Sequence, residues 1–323
     1  MEQCTAFLLA AGFGTRLRPL TLARPKPLLP VGGIAMLDIA LAHLHRHGHR
    51  HIVVNAHHLW QQVAAWADAR GVALQVEQPD ILGTGGGLRA ALDRLAEQVV
   101  IFNGDILTDV DLTALIDACP AGGASMALRP VEELGTITPL RAGEDGRVLR
   151  IGTVTAREGE PPLQRGGPGV HFTGIHAMDR RAIANTPTGF CDIIRTAYST
   201  LVPSGQVNSI VHRGTWADLG TPLAYLEANL AVLDGQLMLA ADPMQHATPG
   251  PNHSIIGRGA RVEGTVDRCV IGEGAVVPRG AHLRDCVVWD GVAVPAEHLT
   301  RCVVYDGGQV LHVPPAATTA SNP

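Results

Sequence analysis

The sequence predicts an α/β protein with a Rossmann-like, mixed but mostly parallel sheet and helices on both faces, followed by a C-terminal left-handed β-helix. Over roughly the first 110 residues, apolar strand-like runs alternate with segments of helical spacing. This alternation is typical of parallel sheets covered by helices. Beyond the Pro-rich stretch ADPMQHATPGPN, short β-branched runs separated by glycine recur in similar copies, which is typical of a β-helix with hexapeptide-like turns.

Hydrophobic spacing predicts the elements of the first part of the chain in order. The strand-like runs are TAFLLA, HIVVNA, VALQVEQ and VVIFNGD, and the helical segments are MLDIALAHLHRHG, LWQQVAAWADARG and GLRAALDRLAEQ. From about residue 121 to 220 the pattern loosens, with short strands such as VHFTGIHAM. Ligands of such sheets bind beyond the carboxyl ends of the strands. The polar ends of LLAAGFG and VVIFNGD are therefore the first candidates for a site.

The segment TPLAYLEANLAVLDG predicts a helix at the end of the first domain. Thr221 suits its N-cap, Pro222 its first turn and Gly235 its stop. The predicted organisation is a domain over 1–235, a linker over 236–253, a β-helix over 254–313 and a disordered tail over 314–323.

Three cysteines recur at corresponding positions in the C-terminal repeats. Cys269, Cys286 and Cys302 follow one another at intervals of 17 and 16 residues. An array of ordinary β-hairpins is the alternative to a β-helix. The six cysteines of the chain form no CxxC pair, so we expect reduced cysteines in the core.

Composition limits the possible partners and location. The chain has 323 residues, of which 46% are hydrophobic and 17% charged, as in a globular protein. Its net charge is −5, without a strongly basic segment, which argues against nucleic acid as the main partner. It lacks an apolar run of about 18 residues and a secretory signal. We therefore expect a cytoplasmic protein that does not bind membranes.

The loop LLAAGFGTRLRPLTLARPKPLLPVGG has the composition of a phosphate-binding segment. A Walker A string is absent, and Leu17 stands where a dinucleotide fingerprint needs its third glycine. Gly12 and Gly14 allow backbone N–H groups to turn toward phosphate oxygens. Arg16 is a planar bidentate donor, and prolines brace Lys26. A Pro-rich surface loop with incidental charges is the alternative.

This loop closely resembles the signature of the sugar-phosphate nucleotidyltransferases, G-x-G-T-R-x-x-P-x-T followed by P-K-P, which is matched from Gly12 to Pro27. The likeness continues through GTGGGL, FNGD, FTGI and GTWADLGTP and covers roughly residues 5–235. The resemblance implies an enzyme that transfers a nucleotidyl group from an NTP to a sugar 1-phosphate, releasing pyrophosphate. Residues 1–235 would be its catalytic domain.

The resemblance also implies roles for particular residues. The nucleotide would be bound by Leu9, Ala11, Gly12, Gly14, Thr15, Arg16, Gln78, Gly83 and Thr84. The sugar phosphate would be bound by Lys26, Asn103 and Gly174, and the catalytic residues would be Arg16, Lys26 and Asp105. From the residues alone, the glycines of GTGGGL could also form only the turn before a helix, and Thr173 could be a plain strand residue.

Two like-charged substrates need a cation between them, so Mg²⁺ is the expected cofactor. Asp105 ends a buried strand run at the ligand-binding edge of the predicted sheet, and Asp218 lies just before a helix. Mg²⁺ favours one or two carboxylates together with phosphate oxygens. The alternatives are that NGD forms a hairpin turn and that Asp218 only stabilises a turn.

One departure from the family pattern leaves the substrates open. Many members carry a Glu-Lys-Pro segment before the TGI strand, whereas RIGTVTAREGEPPLQRGGPGVHFTGI has no lysine. Arg157, Glu158 or Arg165 could substitute. The C-terminal repeats favour mannose 1-phosphate guanylylation and a homo-oligomer, and the missing lysine favours N-acetylmuramic acid 1-phosphate uridylylation. A regulatory subunit that binds NDP-sugar without turnover is the alternative of another class.

A histidine run, HLHRHGHRH, also suggests metal binding. His43 and His47 would share one helix face, but no cysteine or carboxylate accompanies them. We therefore interpret the run as a solvated helix end rather than a zinc site.

Overall fold

The computed structural model describes residues 4–133, 138–156 and 168–315. The chain folds into two compact units. The first unit consists of Met1–Phe13 and Ala40–Trp216, and the second of Gly14–Ile39 and Ala217–Pro323. The boundaries predicted along the chain, including the disordered tail over 314–323, stay a prediction.

The described residues form short helices and many strands. The helices are α1 Leu20–Ala23, α2 Met36–Arg46, α3 Trp60–Asp68, α4 Gly83–Ala90, α5 Leu112–Asp117, α6 Arg180–Ala184, α7 Ala197–Leu201 and α8 Pro222–Leu233. The strands are β1 Cys4–Leu9, β2 Pro30–Val31, β3 Ile34–Ala35, β4 Ile52–Ala56, β5 Ala73–Val76, β6 Gln98–Asn103, β7 Ile106–Thr108, β8 Ala124–Val131, β9 Leu140–Ala142, β10 Val148–Ile151, β11 Val154–Thr155, β12 Gly169–Asp179, β13 Val207–Val211, β14 Trp216–Asp218, β15 Ala247–Gly250, β16 Ser254–Gly257, β17 Arg261–Val262, β18 Thr265–Asp267, β19 Val270–Ile271, β20 Val276–Val277, β21 His282–Arg284, β22 Val287–Val288, β23 His298–Thr300, β24 Cys302–Tyr305 and β25 Gln309–His312.

A ten-stranded sheet organises the first unit. Its order is β11-β10-β9-β12-β6-β1-β4-β5, and β8 pairs with both β12 and β13. The strands β5, β4, β1 and β6 run parallel, and β12 adds antiparallel pairing to β6 and β8. The predicted mixed α/β architecture with a largely parallel central sheet is confirmed.

Apolar side chains of this sheet and of the following helices form the core of the first unit. Phe7, Ile101, Met126 and Tyr198 are among its fully buried members. Each large buried side chain contributes about 1.5–3 kcal/mol relative to exposure. The continuous apolar runs that predicted β1 and β6 are explained by this burial, because a central parallel strand is covered on both faces.

The glycine-rich segment departs from the predicted elements. The predicted helix over GLRAALDRLAEQ was placed wrongly, because α4 begins at Gly83 and ends at Ala90. A Cβ at Gly86 would clash with the carbonyl oxygen of Gly189, and one at Gly85 would lie 2.8 Å from the Cys191 sulfur. These glycines therefore belong to a helix that packs directly against neighbouring backbone, which propensity does not reveal.

Short parallel strands stack in the C-terminal part of the second unit. The pairs Ile255↔Val270, Val270↔Val287 and Val287↔Val303 are in parallel register. Two further stacks join β17 to β20 and β18 to β21 and β23. Cys269, Cys286 and Cys302 have no exposed surface and no disulfide, which confirms reduced, buried cysteines. The near-regular spacing of these cysteines reflects one buried position repeated in successive turns of the stack.

The predicted cap of α8 is confirmed. The Thr221 side chain accepts a hydrogen bond from the Ala224 N–H at 3.2 Å, Pro222 lies at the start of the helix, and Gly235 adopts a left-handed conformation with φ of 68°. A polar cap, a proline in the first turn and a glycine after the last turn thus define this helix.

The histidine run is not a wholly solvated helix end. His43 and His49 are 5% and 1% exposed, and the His43 Nε2–H donates to the Val110 carbonyl at 2.9 Å. Burial lowers the pKa of His43 to about 4, so this ring is neutral at pH 7. In the part of the chain that the structure describes, no group of three His, Cys, Asp or Glu residues is placed to hold a metal.

Within residues 4–133, 138–156 and 168–315, no helix combines the length and the apolar character needed to cross a membrane. The cytoplasmic location stays a prediction.

Candidate active site

The phosphate-loop residues of the second unit are held by a tight turn at Gly14. Gly14 has φ of 60°, and the Thr21 hydroxyl donates to its carbonyl at 2.9 Å. A Cβ at this position would lie 2.8 Å from the Thr21 methyl carbon, whereas a Cβ at Gly12 would meet nothing within 4 Å. Gly14 is therefore required by the fold, and the space at Gly12 is open to a ligand.

Arg16, Lys26 and Asp218 form a charged cluster in the second unit. The Lys26 ammonium lies 3.6 Å from one oxygen of the Asp218 carboxylate, and the Arg16 guanidinium lies 3.9 Å from the other. The Lys26 side chain is 8% exposed and the Arg16 side chain 68%. An ammonium and a guanidinium are the side-chain cations that bind phosphate oxygens, so this cluster supplies two groups suited to a phosphate.

The guanidinium of Arg16 lies directly against Gly220. A Cβ at Gly220 would lie 2.7 Å from Nη1 and 2.8 Å from Cζ of Arg16. Only a residue without a side chain leaves room for the guanidinium in this position. The sequence pattern DLGTP contains this glycine, but nothing in the pattern connects it with a residue 204 positions earlier.

Side chains from α8 and from the C-terminal strands support the backbone that follows Lys26. The Tyr225 hydroxyl donates to the Pro30 carbonyl at 2.7 Å, and the Trp289 indole N–H donates to that hydroxyl at 3.1 Å. The Asn229 carboxamide accepts from the Gly32 N–H at 2.9 Å. Tyr225 and Trp289 are buried. The C-terminal strands therefore help to hold the loop that carries Lys26.

Replacing Tyr225 by phenylalanine is expected to lower the free energy of unfolding by about 1–3 kcal/mol. The reason is that two buried partners, the Pro30 carbonyl and the Trp289 N–H, lose their hydrogen bonds. Urea denaturation measures the change. Tyr305→Phe is the matched control, because the Tyr305 ring packs on Trp289 at 5.4 Å outside this hydrogen-bonded chain. An equal loss in both variants would contradict the proposed support of the loop.

In the first unit, the ends of β1 and β6 bring together several predicted site residues. Leu9 and Asn103 are paired in register, and the Gly104 N–H donates to the Leu9 carbonyl at 2.9 Å. Asp105 lies half-buried in the turn between β6 and β7. Since β6 pairs with β1 and β12, this carboxylate follows a central strand of the ten-stranded sheet.

Asn103 also meets Gly174 of β12. Gly174 has φ of 84°, and a Cβ there would lie 2.6 Å from the Asn103 amide nitrogen. Two of the three residues predicted to bind the sugar phosphate therefore touch across neighbouring strands. Thr173 next to them is buried, and its hydroxyl donates to the Ala127 carbonyl at 2.9 Å, so it acts as a strand residue.

A buried network connects the end of β1 to the loop before α4. The Asn55 carboxamide accepts from the Ala10 N–H and donates to one oxygen of Glu77, each at 2.7 Å. The other Glu77 oxygen accepts from the Leu82 N–H at 2.7 Å, and Glu77 is 1% exposed. The network positions the loop that contains Gln78. Sequence reasoning missed it, although a glutamate after the strand VALQV was a visible signal.

The predicted nucleotide residues of α4 have structural contacts of their own. Gly83 has φ of 72°, and a Cβ there would lie 2.7 Å from the Cys191 carbonyl oxygen. The Thr84 hydroxyl accepts from the Ile193 N–H at 3.0 Å. Gln78 is exposed before this helix. Gly83 and Thr84 thus fix the start of α4, and contact with a nucleotide remains a prediction for all three.

The remaining predicted residues are spread over both units. Ala11 is buried in the first unit, and Thr15 is exposed in the second. Of the predicted metal ligands, Asp105 belongs to the first unit and Asp218 to the second. Carboxylate oxygens suit the preference of Mg²⁺ for hard ligands. Arg157, Glu158 and Arg165 lie outside the described residues.

Comparison with known proteins agrees with these observations. The family described as MobA-like NTP transferase domain matches residues 6–163. The chain is 28% identical over 308 residues to a mannose-1-phosphate guanylyltransferase of Mycobacterium tuberculosis, covering 91% of this chain and 82% of that protein. It is 30% identical over 232 residues to an N-acetylmuramate alpha-1-phosphate uridylyltransferase of Neisseria meningitidis, covering 69% of this chain and 96% of that protein.

A solved structure shows the same fold. HddC from Yersinia pseudotuberculosis superposes with a TM-score of 0.58 at 20% identity, covering 70% of this chain and 97% of that one. The phosphate-loop signature, the family match and the near-complete coverage of the uridylyltransferase together identify the enzyme class. The chain belongs to the sugar-phosphate nucleotidyltransferases with a MobA-like NTP transferase domain.

Proposed function

We propose that this enzyme transfers a guanylyl group from GTP to mannose 1-phosphate and releases pyrophosphate. We choose these substrates because the similarity to the mannose-1-phosphate guanylyltransferase extends over more of the chain. That likeness covers 91% of this chain, whereas the uridylyltransferase match covers 69%. A match of 91% has to include part of the C-terminal strand stacks, whose residue Trp289 is hydrogen-bonded to Tyr225 beside the loop that carries Lys26.

The reaction joins two anions, and the side chains serve mainly to position them. A phosphate oxygen of the sugar 1-phosphate attacks the α-phosphorus of the NTP, and the bond from that phosphorus to the pyrophosphate oxygen breaks. Lys26 would bind the reacting phosphates, and Arg16 would bind the β- and γ-phosphates. Asp218 holds both cations within 4 Å of its carboxylate, so their charge is organised before substrate binds.

The composition of the chain supports a specific role for Lys26. It is the single lysine among 323 residues, and every other basic side chain apart from histidine is an arginine. An ammonium is a compact point charge, whereas a guanidinium is larger and planar. With a side chain only 8% exposed, the site at Lys26 accommodates the smaller cation.

Mg²⁺ is the proposed cofactor, held by Asp105 and Asp218. When bound, it would neutralise charge that develops on the phosphate oxygens. The chain's own groups would bind and orient the substrates: the cations Arg16 and Lys26 at the phosphates, and Asn103 with Gly174 at the sugar phosphate.

N-acetylmuramic acid 1-phosphate uridylylation is the second candidate. It is favoured by 30% identity to the Neisseria enzyme over 96% of that protein's length. The absence of lysine from residues 150–175 also fits this branch.

We further propose that the C-terminal strands wind as a left-handed β-helix and mediate a homo-oligomer. The parallel registers that link β16, β19, β22 and β24 support the helical winding. Arg268, Asp285 and Arg301, each directly before a cysteine of the stack, share positive φ values of 50–52°. A turn repeated with the same backbone conformation at nearly equal spacing favours a solenoid. Light scattering tests the oligomer, which a monomeric mass would exclude.

A pyrophosphate-release screen tests the proposed reaction. Purified protein with Mg²⁺ is offered ATP, CTP, GTP and UTP, each with mannose 1-phosphate, glucose 1-phosphate and N-acetylmuramic acid 1-phosphate. We expect the highest kcat/KM with GTP and mannose 1-phosphate. A preference for UTP with N-acetylmuramic acid 1-phosphate would establish the second candidate instead. NDP-sugar binding without turnover of any pair would indicate a regulatory subunit.

A further inference from the structure

We propose that Arg129, which stacks on Trp216 beside His171, binds the phosphate of the sugar 1-phosphate. This inference rests on the proposed function and names a cation for its second substrate. Because Lys26 is the single lysine of the chain, a second phosphate-binding cation has to be an arginine or a histidine. Among the described residues of the first unit, Arg129 is the arginine that the geometry connects to Gly174.

The strand register places Arg129 beside the predicted sugar-phosphate residues. Arg129 on β8 is paired with His171 on β12, and Leu128 is paired with Phe172. Gly174 follows three residues after His171 on the same strand. The register of β8 and β12 shifts between Phe172 and His176, so the pairing is irregular where Gly174 turns its backbone toward Asn103.

Trp216 joins these groups into one surface. Its indole N–H donates to the Thr173 carbonyl at 2.8 Å, directly before Gly174. The Arg129 guanidinium carbon lies 4.7 Å from the indole centroid, and the His171 ring centroid lies 5.1 Å from it at an interplanar angle of 89°. Trp216 thus contacts both the Arg129 guanidinium and the peptide carbonyl that directly precedes Gly174.

The charge of Arg129 is available to an anion. Within residues 4–133, 138–156 and 168–315, no hydrogen bond or carboxylate partner accompanies its cation–π contact. Arg268, by contrast, is half-buried and binds Asp234 and Asp285. A guanidinium over an indole is held by its face, so its edge N–H groups remain free to bind two phosphate oxygens.

A cavity beside this surface could receive the sugar ring. It has a volume of about 460 Å³ and is lined by His171, Phe172, Thr153, Asp192 and Arg195, among others. Small-molecule sites have volumes of about 300–1,000 Å³ and combine apolar walls with a few polar groups. The hydroxyl of Thr153 and the carboxylate of Asp192 are suitable partners for sugar hydroxyls. His171, which lines this cavity, is the cross-strand partner of Arg129.

The test compares Arg129→Met with wild type in the pyrophosphate-release assay, using GTP and mannose 1-phosphate or the pair that the screen selects. Loss of a charge-assisted contact is expected to raise the KM for the sugar 1-phosphate about 10- to 100-fold. The KM for the NTP and the melting temperature are expected to stay unchanged. Arg129→Lys is expected to recover only part of the loss, because an ammonium lacks the bidentate edge.

Three further variants make the result specific. Arg147→Met is the matched control, because Arg147 is 61% exposed and pairs with Asp145, and its kinetics should equal wild type. Arg157→Met and Arg165→Met test the other arginines considered from the sequence. An unchanged sugar-phosphate KM in Arg129→Met, or a larger rise in Arg157→Met or Arg165→Met, would overturn the assignment. A wild-type enzyme inactive with every pair would refute the proposed function itself.

Discussion

Lys26→Met is expected to lower kcat/KM for nucleotidyl transfer by about 100- to 1,000-fold, which is the usual effect of removing one preorganised charge from a site of this kind. The ammonium lies 3.6 Å from Asp218 with its side chain 8% exposed, so bulk water replaces it poorly. Methionine is unbranched and adaptable, and it fills most of the lysine volume. The change is measured from the rate of pyrophosphate release, with one substrate varied and the other held at saturation.

Lys26→Arg sharpens this prediction. Wherever else the chain carries a permanent cation on a side chain, it uses arginine, so we expect this variant to keep its charge and still lose activity. Arg18→Met is the control, because Arg18 lies exposed in the same loop. Wild-type rates in both Lys26 variants would contradict the role of this ammonium.

Amine acylation gives an independent measurement, because Lys26 is the single target besides the chain terminus. We expect NTP with Mg²⁺ to protect Lys26 from acylation.

Asp105→Asn is expected to lower kcat by about 100-fold or more and to shift the Mg²⁺ dependence to higher concentration. A carboxamide is a weaker ligand than a carboxylate, and metal stabilisation of phosphate charge is worth several kcal/mol. The measurement is activity titrated with Mg²⁺ at fixed NTP.

Asp109→Asn is the matched control for that experiment. Its side chain is 58% exposed and lies 3.4 Å from His212, four residues beyond Asp105 along the chain. We expect its Mg²⁺ dependence to equal wild type. If Asp105→Asn and Asp109→Asn have the same Mg²⁺ titration, Asp105 does not bind the metal.

Local patterns predicted much of the architecture because they depend on neighbours in sequence. Apolar runs such as VVIFNGD predicted central strands, since β6 is buried between β1 and β12. Thr221 and Pro222 predicted the start of α8, because a cap needs only the next three residues. Local patterns predicted less where glycines pack against a distant segment, and the bounds predicted for α4 were therefore wrong.

The histidine run illustrates the limit of periodicity. Spacing placed His43 and His47 on one face of α2, but it could not show what covers that face. His43 is hydrogen-bonded to the Val110 carbonyl, 67 residues away in the sequence, and its side chain is buried. Burial depends on such distant partners, so the interpretation of a solvated helix end failed.

The sequence by itself determined the class of chemistry and the residues available for it. These are Gly12, Gly14, Arg16 and Lys26 in a proline-braced loop, with aspartates after a strand and before a helix. Only the tertiary structure decided which of them meet. Asp218 is 192 residues from Lys26, and Gly220 is 204 residues from Arg16, yet each pair is in contact. The Asn55–Glu77 network and the stacking of Arg129 on Trp216 likewise join residues from separate strands and loops. Packing between distant segments creates these contacts, and no local pattern encodes a partner that far away.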